Sequence, residues 1–356
     1  MLNILRGWVD RYFGDEESVL LAVILVLGLV VVVTMGAVLA PAIAGLIIAF
    51  LLQGLVNRLK SWGLPHWFSV SVTTFILVTL LALSFFYLMP VVWQQMIRLV
   101  GEVPGMLTEG QRILSLLPEQ YPQLITEAQI HEIVDSAGRE LGAIGQNVLS
   151  FSVSSLPLVA GVLVYLILVP ILVFFFLKDS EKIRIWMTSF LPSERPMMSQ
   201  IWHEMNDQVA NYVRGKAIEI IVVGTVSYVA FATLGLNYAL LLGLAVGFSV
   251  VIPYIGAAVV TLPVLMIGFF QWGIGNEFYW LFVVYSIIQA LDGNVLVPLL
   301  FSEAVNLHPI AIILAVLVFG GVWGFWGVFF AIPLATLIKA IVNAWSPAHP
   351  VVAHSE

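Results

Sequence analysis

An acidic residue, Asp292, lies in the middle of the apolar segment IIQALDGNVLVPLL, which covers residues 287–300. Gly293, Asn294 and Pro298 follow it, and glycine and proline both loosen a helix. An ionisable side chain at the centre of a bilayer costs about 2.5–3.5 kcal/mol, so such residues usually face a polar interior. The chemistry that these residues offer is therefore reversible binding of a proton, a cation or a polar solute.

The composition of the chain indicates that the surrounding medium is a membrane. Of its 356 residues 61% are hydrophobic and only 10% are charged, whereas soluble domains carry about 25% charged residues. Cysteine is absent, which excludes disulfides, thiolate nucleophiles and cysteine metal sites. The net charge of −7 does not indicate a nucleic-acid partner, because in a bilayer the position of each charge matters more than the sum.

The apolar stretches predict an all-α, polytopic membrane protein with about eight transmembrane helices, since about 20 residues cross a hydrocarbon core of about 30 Å. The predicted spans are 19–39, 41–57, 68–92, 156–177, 213–234, 237–268, 278–300 and 307–340. The predicted regions are helices 1–3 (1–96), an extracytoplasmic helical loop (97–155), helix 4 (156–178), a cytoplasmic amphipathic segment (179–212), a core of helices 5–8 (213–342) and a cytoplasmic tail (343–356).

The basic residues predict the orientation of these spans. With both termini in the cytoplasm, all of the fourteen Lys and Arg residues except Arg98, Arg112 and Arg139 fall on the cytoplasmic side, as the positive-inside rule requires. The span at 237–268 is unusually long and contains two prolines, so it either crosses or re-enters. Re-entry would change the orientation of every later span.

Two polar segments carry apolar residues at helical spacing. Residues 127–148 predict a pair of short helices that cap the outer face. In the cytoplasmic segment, Trp186, Met187 and Phe190 predict a helix that lies in the membrane interface. Pro192 and Pro196 separate it from a second amphipathic helix, which contains Ile201, Met205, Val209 and Tyr212.

A second acid, Glu219, falls little more than one turn into the fifth span. Lys216 could reach it across the i, i+3 spacing, so Glu219 is either a boundary carboxylate that its neighbour neutralises or part of a pathway. For Asp292 the alternatives are a hydrogen bond to a neighbouring helix and a place on the pathway.

Prolines interrupt the apolar segment SVVIPYIGAAVVTLP at residues 249–263. Each proline removes an N–H and leaves a carbonyl that lipid cannot satisfy. Such interruptions occur in ordinary kinked helices, and they also occur in secondary transporters, where the ends of half-helices bind solutes. The predicted pathway residues are Asp292, Asn294, Gln289, Pro253, Tyr254, Gly256 and Glu219, with Glu303 and His308 as a predicted gate or relay.

The sixth and eighth predicted spans share a weak repeated pattern. Counted from Leu236 and Leu307, glycines recur at +20 (Gly256 and Gly327) and prolines at +27 and +26 (Pro263 and Pro333). Helix-pair repeats are common in transporters. In the final segment, Gly320 and Gly324 at i, i+4 predict a face that packs closely on another helix.

Motifs for enzyme chemistry are missing. The sequence lacks a phosphate-binding GxxxxGK[ST] loop, a GxGxxG turn and a GxSxG elbow. HEIVD at 131 and HEMND at 203 resemble the zinc-protease helix, but Asp135 and Asp207 replace its second histidine. We therefore expect no enzyme activity, no metal site and no cofactor.

Three segments together resemble the autoinducer-2 exporter family, also called PerM-like permeases. They are VPILVFFFLKD (169–179), GLNYALLLGLAVGFSVVIPYIG (235–256) and IIQALDGNVLVPLLFSEAVNLHPIAIILAVLVFGGVWGFWGVFFAIPLATLIKAIV (287–342). The resemblance implies a bacterial cytoplasmic (inner) membrane protein that assembles as a homo-oligomer, with pentamers described for relatives. It also implies export of the quorum signal autoinducer-2 or sodium–proton exchange. Asp292 stands where relatives commonly have glutamate.

The resulting hypothesis is a secondary transporter that moves a small polar solute or ion outward, coupled to protons or sodium, with Asp292 as the carrier. The alternatives are a sodium/proton antiporter, a pentameric channel, and a membrane scaffold that organises partners through residues 97–150 and 179–212. Buried polar residues in the last four spans argue against the scaffold, because an anchor does not need them.

Overall fold

A computed structural model describes residues 16–114, 136, 138, 139, 156–192, 194–301 and 307–345, and the elements within these ranges are helices, with no β-strand among them. The helices are α1 (Glu16–Ser61), α2 (His66–Leu83), α3 (Met89–Leu114), α4 (Leu156–Lys178), α5 (Ser180–Thr188), α6 (Pro196–Thr233), α7 (Ala239–Ser249), α8 (Ile255–Trp272), α9 (Asn276–Leu291), α10 (Val297–Phe301), α11 (Pro309–Phe329) and α12 (Ala331–Trp345). Seven helical segments in these ranges are long and apolar enough to cross a membrane, which confirms the all-α, polytopic class.

The first two predicted spans, 19–39 and 41–57, form one helix. Helix α1 contains 46 residues, which corresponds to about 69 Å at 1.5 Å per residue. The prediction of two spans is wrong because Pro41 lies inside α1, buried, without ending it. A proline removes a single helical hydrogen bond, and membrane helices tolerate that loss.

Helices α2 and α3 form one continuous segment through a π-helical turn at Ser84–Leu88. The helix does not end at the predicted boundaries at residues 92 and 97, because α3 continues to Leu114, so the first part of the predicted extracytoplasmic loop is helical. Most of the predicted pair of short helices at 127–148 lies outside the described residues. Helix α4 (Leu156–Lys178) covers the predicted span at 156–177.

The segment at 179–212 contains one short helix, α5 (Ser180–Thr188), whose Trp186 and Met187 are exposed. Pro196 begins α6, as expected of a proline in the first helical turn. The predicted amphipathic helix that contains Tyr212 and the predicted span at 213–234 form one helix, because α6 runs unbroken to Thr233. Its side chains contact both of the hairpins described next.

Residues 235–272 form a helical hairpin, hairpin 1, made of α7, a turn at 250–254 and α8. The Gln271 side chain closes its base, because Oε1 accepts from the Asn237 N–H at 2.8 Å and Nε2 donates to the Gly235 carbonyl at 2.8 Å. Helix α7, with 11 residues, is too short to cross a bilayer. Both ends of hairpin 1 therefore lie at the C-terminal end of α6, so the predicted span 237–268 is a helical hairpin and not one straight helix.

Residues 309–345 form a second hairpin, hairpin 2, at the other end of α6. Gly324 has φ 60° and interrupts α11, so the prediction that Gly320 and Gly324 share a helix-packing face is wrong. The chain turns back there, and a Cβ on Gly320 would lie 2.8 Å from Cγ2 of Val328 on the returning limb. The last turns of α12 pack on Met198 and Ile201 at the start of α6. The two repeated segments thus form two hairpins that open in opposite directions.

One glycine in each hairpin permits the close approach of its two limbs. A Cβ on Gly256 would lie 1.7 Å from the Ser249 carbonyl oxygen, and one on Gly327 would lie 1.8 Å from the Phe319 carbonyl oxygen. We expect Gly256→Ala and Gly327→Ala each to lower the free energy of unfolding by about 1–3 kcal/mol, the usual cost of overpacking, measured by thermal unfolding in detergent. Gly54→Ala is the control, because nothing lies within 4 Å of its Cβ position in α1. Equal stability of all three variants would contradict the close approach.

Candidate functional site

A cavity of about 420 Å³ lies between α6 and the two hairpins. The turn of hairpin 1 forms one wall, and the α9–α10 segment that carries Asp292 forms another. Ile252 in this turn also packs on hairpin 2 at Ala315, Val316 and Ala331. The polar or turn-forming residues that line the cavity are Tyr212, Lys216, Glu219, Pro253, Tyr254, Gln289, Asp292, Gly293 and Pro298.

Asp292 occupies a π-helical turn between α9 and α10 at Asp292–Leu296. Such turns insert one residue into a helix and are frequent at functional sites. The Oδ1 atom of Asp292 and the Nε2 atom of Gln289 are buried, and neither has a hydrogen-bond partner among the described residues. Because buried polar atoms are normally paired, a carboxylate oxygen and an amide N–H remain free to bind in the cavity.

Lys216 and Glu219 form a buried ion pair in the opposite wall. Nζ of Lys216 lies 2.7 Å from Oε2 of Glu219, and the two residues are 4% and 2% exposed. Nζ also donates to the Val250 carbonyl at 2.8 Å and lies 5.2 Å from the ring centroid of Phe301. The predicted i, i+3 pairing is confirmed, although Glu219 lies in the cavity wall and not at an exposed boundary.

Tyr212 lies one turn before Lys216 on the same face of α6. Its hydroxyl donates to the Phe329 carbonyl of hairpin 2 at 2.8 Å, and its ring packs against Phe301 and Phe329. The two turns of α6 from residue 212 to 219 therefore contact both hairpins and the cavity.

The structure brings some of the predicted pathway residues together and separates others. Gly256 does not line the cavity but packs on the Ser249 backbone. Asn294 is exposed, and its amide donates to the Ala290 carbonyl of its own helix at 2.8 Å. His308 caps α11, where its Nδ1 accepts from the Ile310 N–H at 3.3 Å. Glu303 lies outside the described residues.

Tyr212 and Lys216 were not among the predicted pathway residues. The sequence contained a signal for them, since positions 212, 216 and 219 share one helical face at spacings of four and three. The apolar run of this span begins only at residue 217, whereas its polar face begins earlier, at Tyr212.

A smaller cavity of about 330 Å³ lies at the base of hairpin 1, where α3 crosses it. Glu102, Glu109, Asn237, Tyr238 and Gln271 contribute its polar lining. Burial, followed by a hydrogen bond to Glu102, raises the pKa of Tyr238 to about 12, so this phenol stays protonated at neutral pH. Oε1 of Gln95 on α3 also accepts a hydrogen bond from the Leu241 N–H at 2.9 Å, and this bond connects α3 with the first turn of α7.

Among the described residues, no group of three or more His, Asp or Glu side chains could hold a metal ion. This part of the chain includes the HEMND segment of α6, whereas HEIVD lies outside it. The cavity between the hairpins therefore offers a carboxylate, an amide and an ion pair as its polar groups.

Comparison with known proteins assigns the chain to a family. The model of the AI-2E family transporters matches residues 20–347. PerM of Escherichia coli strain K12, named as a permease, is 47% identical over 345 residues, covering 97% of this chain and 98% of PerM. YueF of Bacillus subtilis strain 168, named as a transport protein, is 28% identical and covers 80% of this chain and 78% of YueF. The AI-2 transport protein TqsA of E. coli K12 is 24% identical and covers 90% and 91%. The match over nearly the whole length of the chain places it in the AI-2E transporter family.

Proposed function

We propose that this protein is a secondary transporter that exports a small polar solute, with Asp292 as the carrier of a coupling proton or sodium ion. The carboxylate of Asp292 supports this role, because it faces the cavity with an oxygen that lacks a partner. Lys216 and Glu219 neutralise each other at 2.7 Å, so Asp292 is the uncompensated charge of the cavity. A proton or a monovalent cation would neutralise it during passage through the low-dielectric core.

The solute is proposed from the chemistry of the lining and from one relative. An amide N–H of Gln289, a carboxylate of Asp292 and the exposed phenol of Tyr254 suit a small molecule rich in hydroxyl groups. TqsA is named for transport of AI-2, which supports autoinducer-2 as the first solute to test.

A sodium/proton antiporter is the second candidate. The observation that favours it is the same single unpaired acid, which can bind either cation in turn without an organic solute. A pentameric channel and a membrane scaffold remain further alternatives. Turnover far above that of alternating-access carriers would favour the channel.

The experiment that tests the proposal measures flux in liposomes that contain the purified protein. The panel contains autoinducer-2, sodium and protons, each with and without an imposed proton or sodium gradient. We expect solute flux that an opposing ion gradient accelerates. Sodium-for-proton exchange without solute flux would support the antiporter. If no member of the panel moves, the membrane scaffold is the remaining alternative.

We further propose that the protein lies in the bacterial inner membrane as a homo-oligomer, up to a pentamer, with the joined ends of α1, α2 and α4 in the cytoplasm. Basic residues near the joined ends of α1, α2 and α4 support the orientation, and a contact of 3.2 Å between His66 Nε2 and the Lys178 carbonyl holds these ends together. Exposed apolar side chains along α1, such as Val26 at 62% and Val38 at 73%, offer a surface for lipid or a second copy. Terminal reporter fusions and native mass spectrometry test both statements.

A further inference from the structure

We propose that Tyr212 and Lys216 are two latches on one turn of α6, each of which holds one hairpin closed over one end of the cavity. This inference rests on the proposed transport function and assigns the gates of that same site. Its basis is that each side chain donates to a backbone carbonyl of a different hairpin, at 2.8 Å in both cases.

Both carbonyls lack a helical partner for a local reason. The Phe329 carbonyl would accept from the residue four positions later, but that residue is Pro333, which has no N–H. The Val250 carbonyl lies just beyond the end of α7 at Ser249, where helix carbonyls are left unpaired. In a membrane such carbonyls must find a donor within the protein, and α6 supplies both donors.

Because the two hairpins open in opposite directions, each of the two hydrogen bonds controls access to the cavity from a different side. Hairpin 1 has its base at the C-terminal end of α6, where Gln271 joins Gly235 and Asn237. Hairpin 2 packs its last turns on Met198 and Ile201 at the N-terminal end of α6. Release of the Lys216 bond therefore frees the wall toward one side of the membrane, and release of the Tyr212 bond frees the wall toward the other.

The two latches differ in their response to charge. Lys216 is cationic and shares its ammonium group between Glu219 and the Val250 carbonyl, and Asp292 lines the same cavity. Tyr212 is a neutral donor. A cation that binds at Asp292 therefore acts on the latch of hairpin 1 more strongly than on that of hairpin 2, since only a charged latch responds directly to a new charge.

Cysteine accessibility tests the latches without any measurement of flux. The chain contains no cysteine, so Ala257→Cys places a single thiol in the lining of the cavity. The thiol is labelled with a membrane-impermeant methanethiosulfonate that carries a sulfonate, in right-side-out and in inside-out vesicles. The backgrounds are wild type, Tyr212→Phe, and Lys216→Met combined with Glu219→Gln, which avoids a buried unpaired acid.

We expect Tyr212→Phe to raise the labelling rate from one face, and the Lys216 and Glu219 double variant to raise it from the opposite face. The increase should be roughly threefold to tenfold, which is the population shift that loss of one hydrogen bond produces. Tyr228→Phe is the control, because Tyr228 lies on the same helix with its side chain 40% exposed.

Three results would overturn the latches: an increase from both faces, an increase of both variants from the same face, or unchanged labelling in variants that elute as folded protein. Failure of the transport proposal gives a different outcome. If no solute or ion moves but labelling is face-specific, the proposal of two latches is supported and the proposed transport function is contradicted. If the protein transports a solute or ion but the labelling rate is unchanged in the variants, the transport function is supported and the proposal of two latches is contradicted.

Discussion

Asp292→Asn is expected to remove the dependence of flux on the proton or sodium gradient and to lower the flux by roughly tenfold to a hundredfold. The estimate follows because a charge-assisted hydrogen bond contributes about 1.5–3 kcal/mol and about 1.4 kcal/mol corresponds to a factor of ten. Asparagine has nearly the same volume but cannot bind a proton or neutralise a cation. The charged groups that face this position are Lys216 and Glu219, which line the same cavity. The measurement is initial flux in liposomes across a series of imposed gradients.

Two further variants separate the charge of Asp292 from its surroundings. Asp292→Glu keeps the carboxylate, so the gradient dependence should survive even if the longer side chain changes the affinity for the solute. Glu277→Gln makes the same change from acid to amide at the exposed start of the same helix, α9, and should leave flux unaltered. Coupled flux in Asp292→Asn equal to that of the wild type would remove Asp292 from the carrier role.

The apolar stretches of the sequence predicted where the helices lie better than how they connect. Hydropathy located α4 and the α9–α10 segment, since it depends only on local composition. It could not distinguish Pro41, which lies inside a continuous helix, from Pro253, which lies in the turn of hairpin 1. The difference comes from residues distant in the sequence. Gln271 closes the base of hairpin 1, and a Cβ on Gly247 would lie 2.7 Å from Cα of Gly224 on α6.

The candidate site shows the same division between local and tertiary information. An acid followed by glycine and asparagine indicated Asp292, and the prolines of the adjacent broken segment indicated its neighbours. Asn294 was included on grounds of polarity, yet a π-helical turn at Asp292–Leu296 places it outside the cavity lining. Spacing along an ideal helix cannot predict this placement, because the extra residue of a π-helical turn rotates every later side chain. The roles of these residues in transport stay predictions.

Lys216→Met is expected to lower the free energy of unfolding by about 3–5 kcal/mol, the cost of removing one partner of a buried ion pair. The substitution leaves the Glu219 carboxylate 2% exposed without its counter-ion, and it removes the donor of the Val250 carbonyl. Methionine fills a similar volume, so the loss reflects charge and hydrogen bonding more than packing. Thermal unfolding of the purified protein in lipid nanodiscs measures the effect.

A second substitution identifies the unpaired acid as the cause. Lys216→Met with Glu219→Gln should recover most of the loss, because a neutral amide is far less costly to bury than a carboxylate, and the double-mutant cycle should show strong coupling. Lys182→Met is the matched control, since it breaks an i, i+3 pair with Asp179 in which the lysine is 83% exposed, and such pairs contribute about 0–1 kcal/mol. If Lys216→Met costs no more than Lys182→Met, then Glu219 is not held as a buried anion. Lys216 would in that case have no charge to balance, and Asp292 would no longer be the uncompensated charge of the cavity.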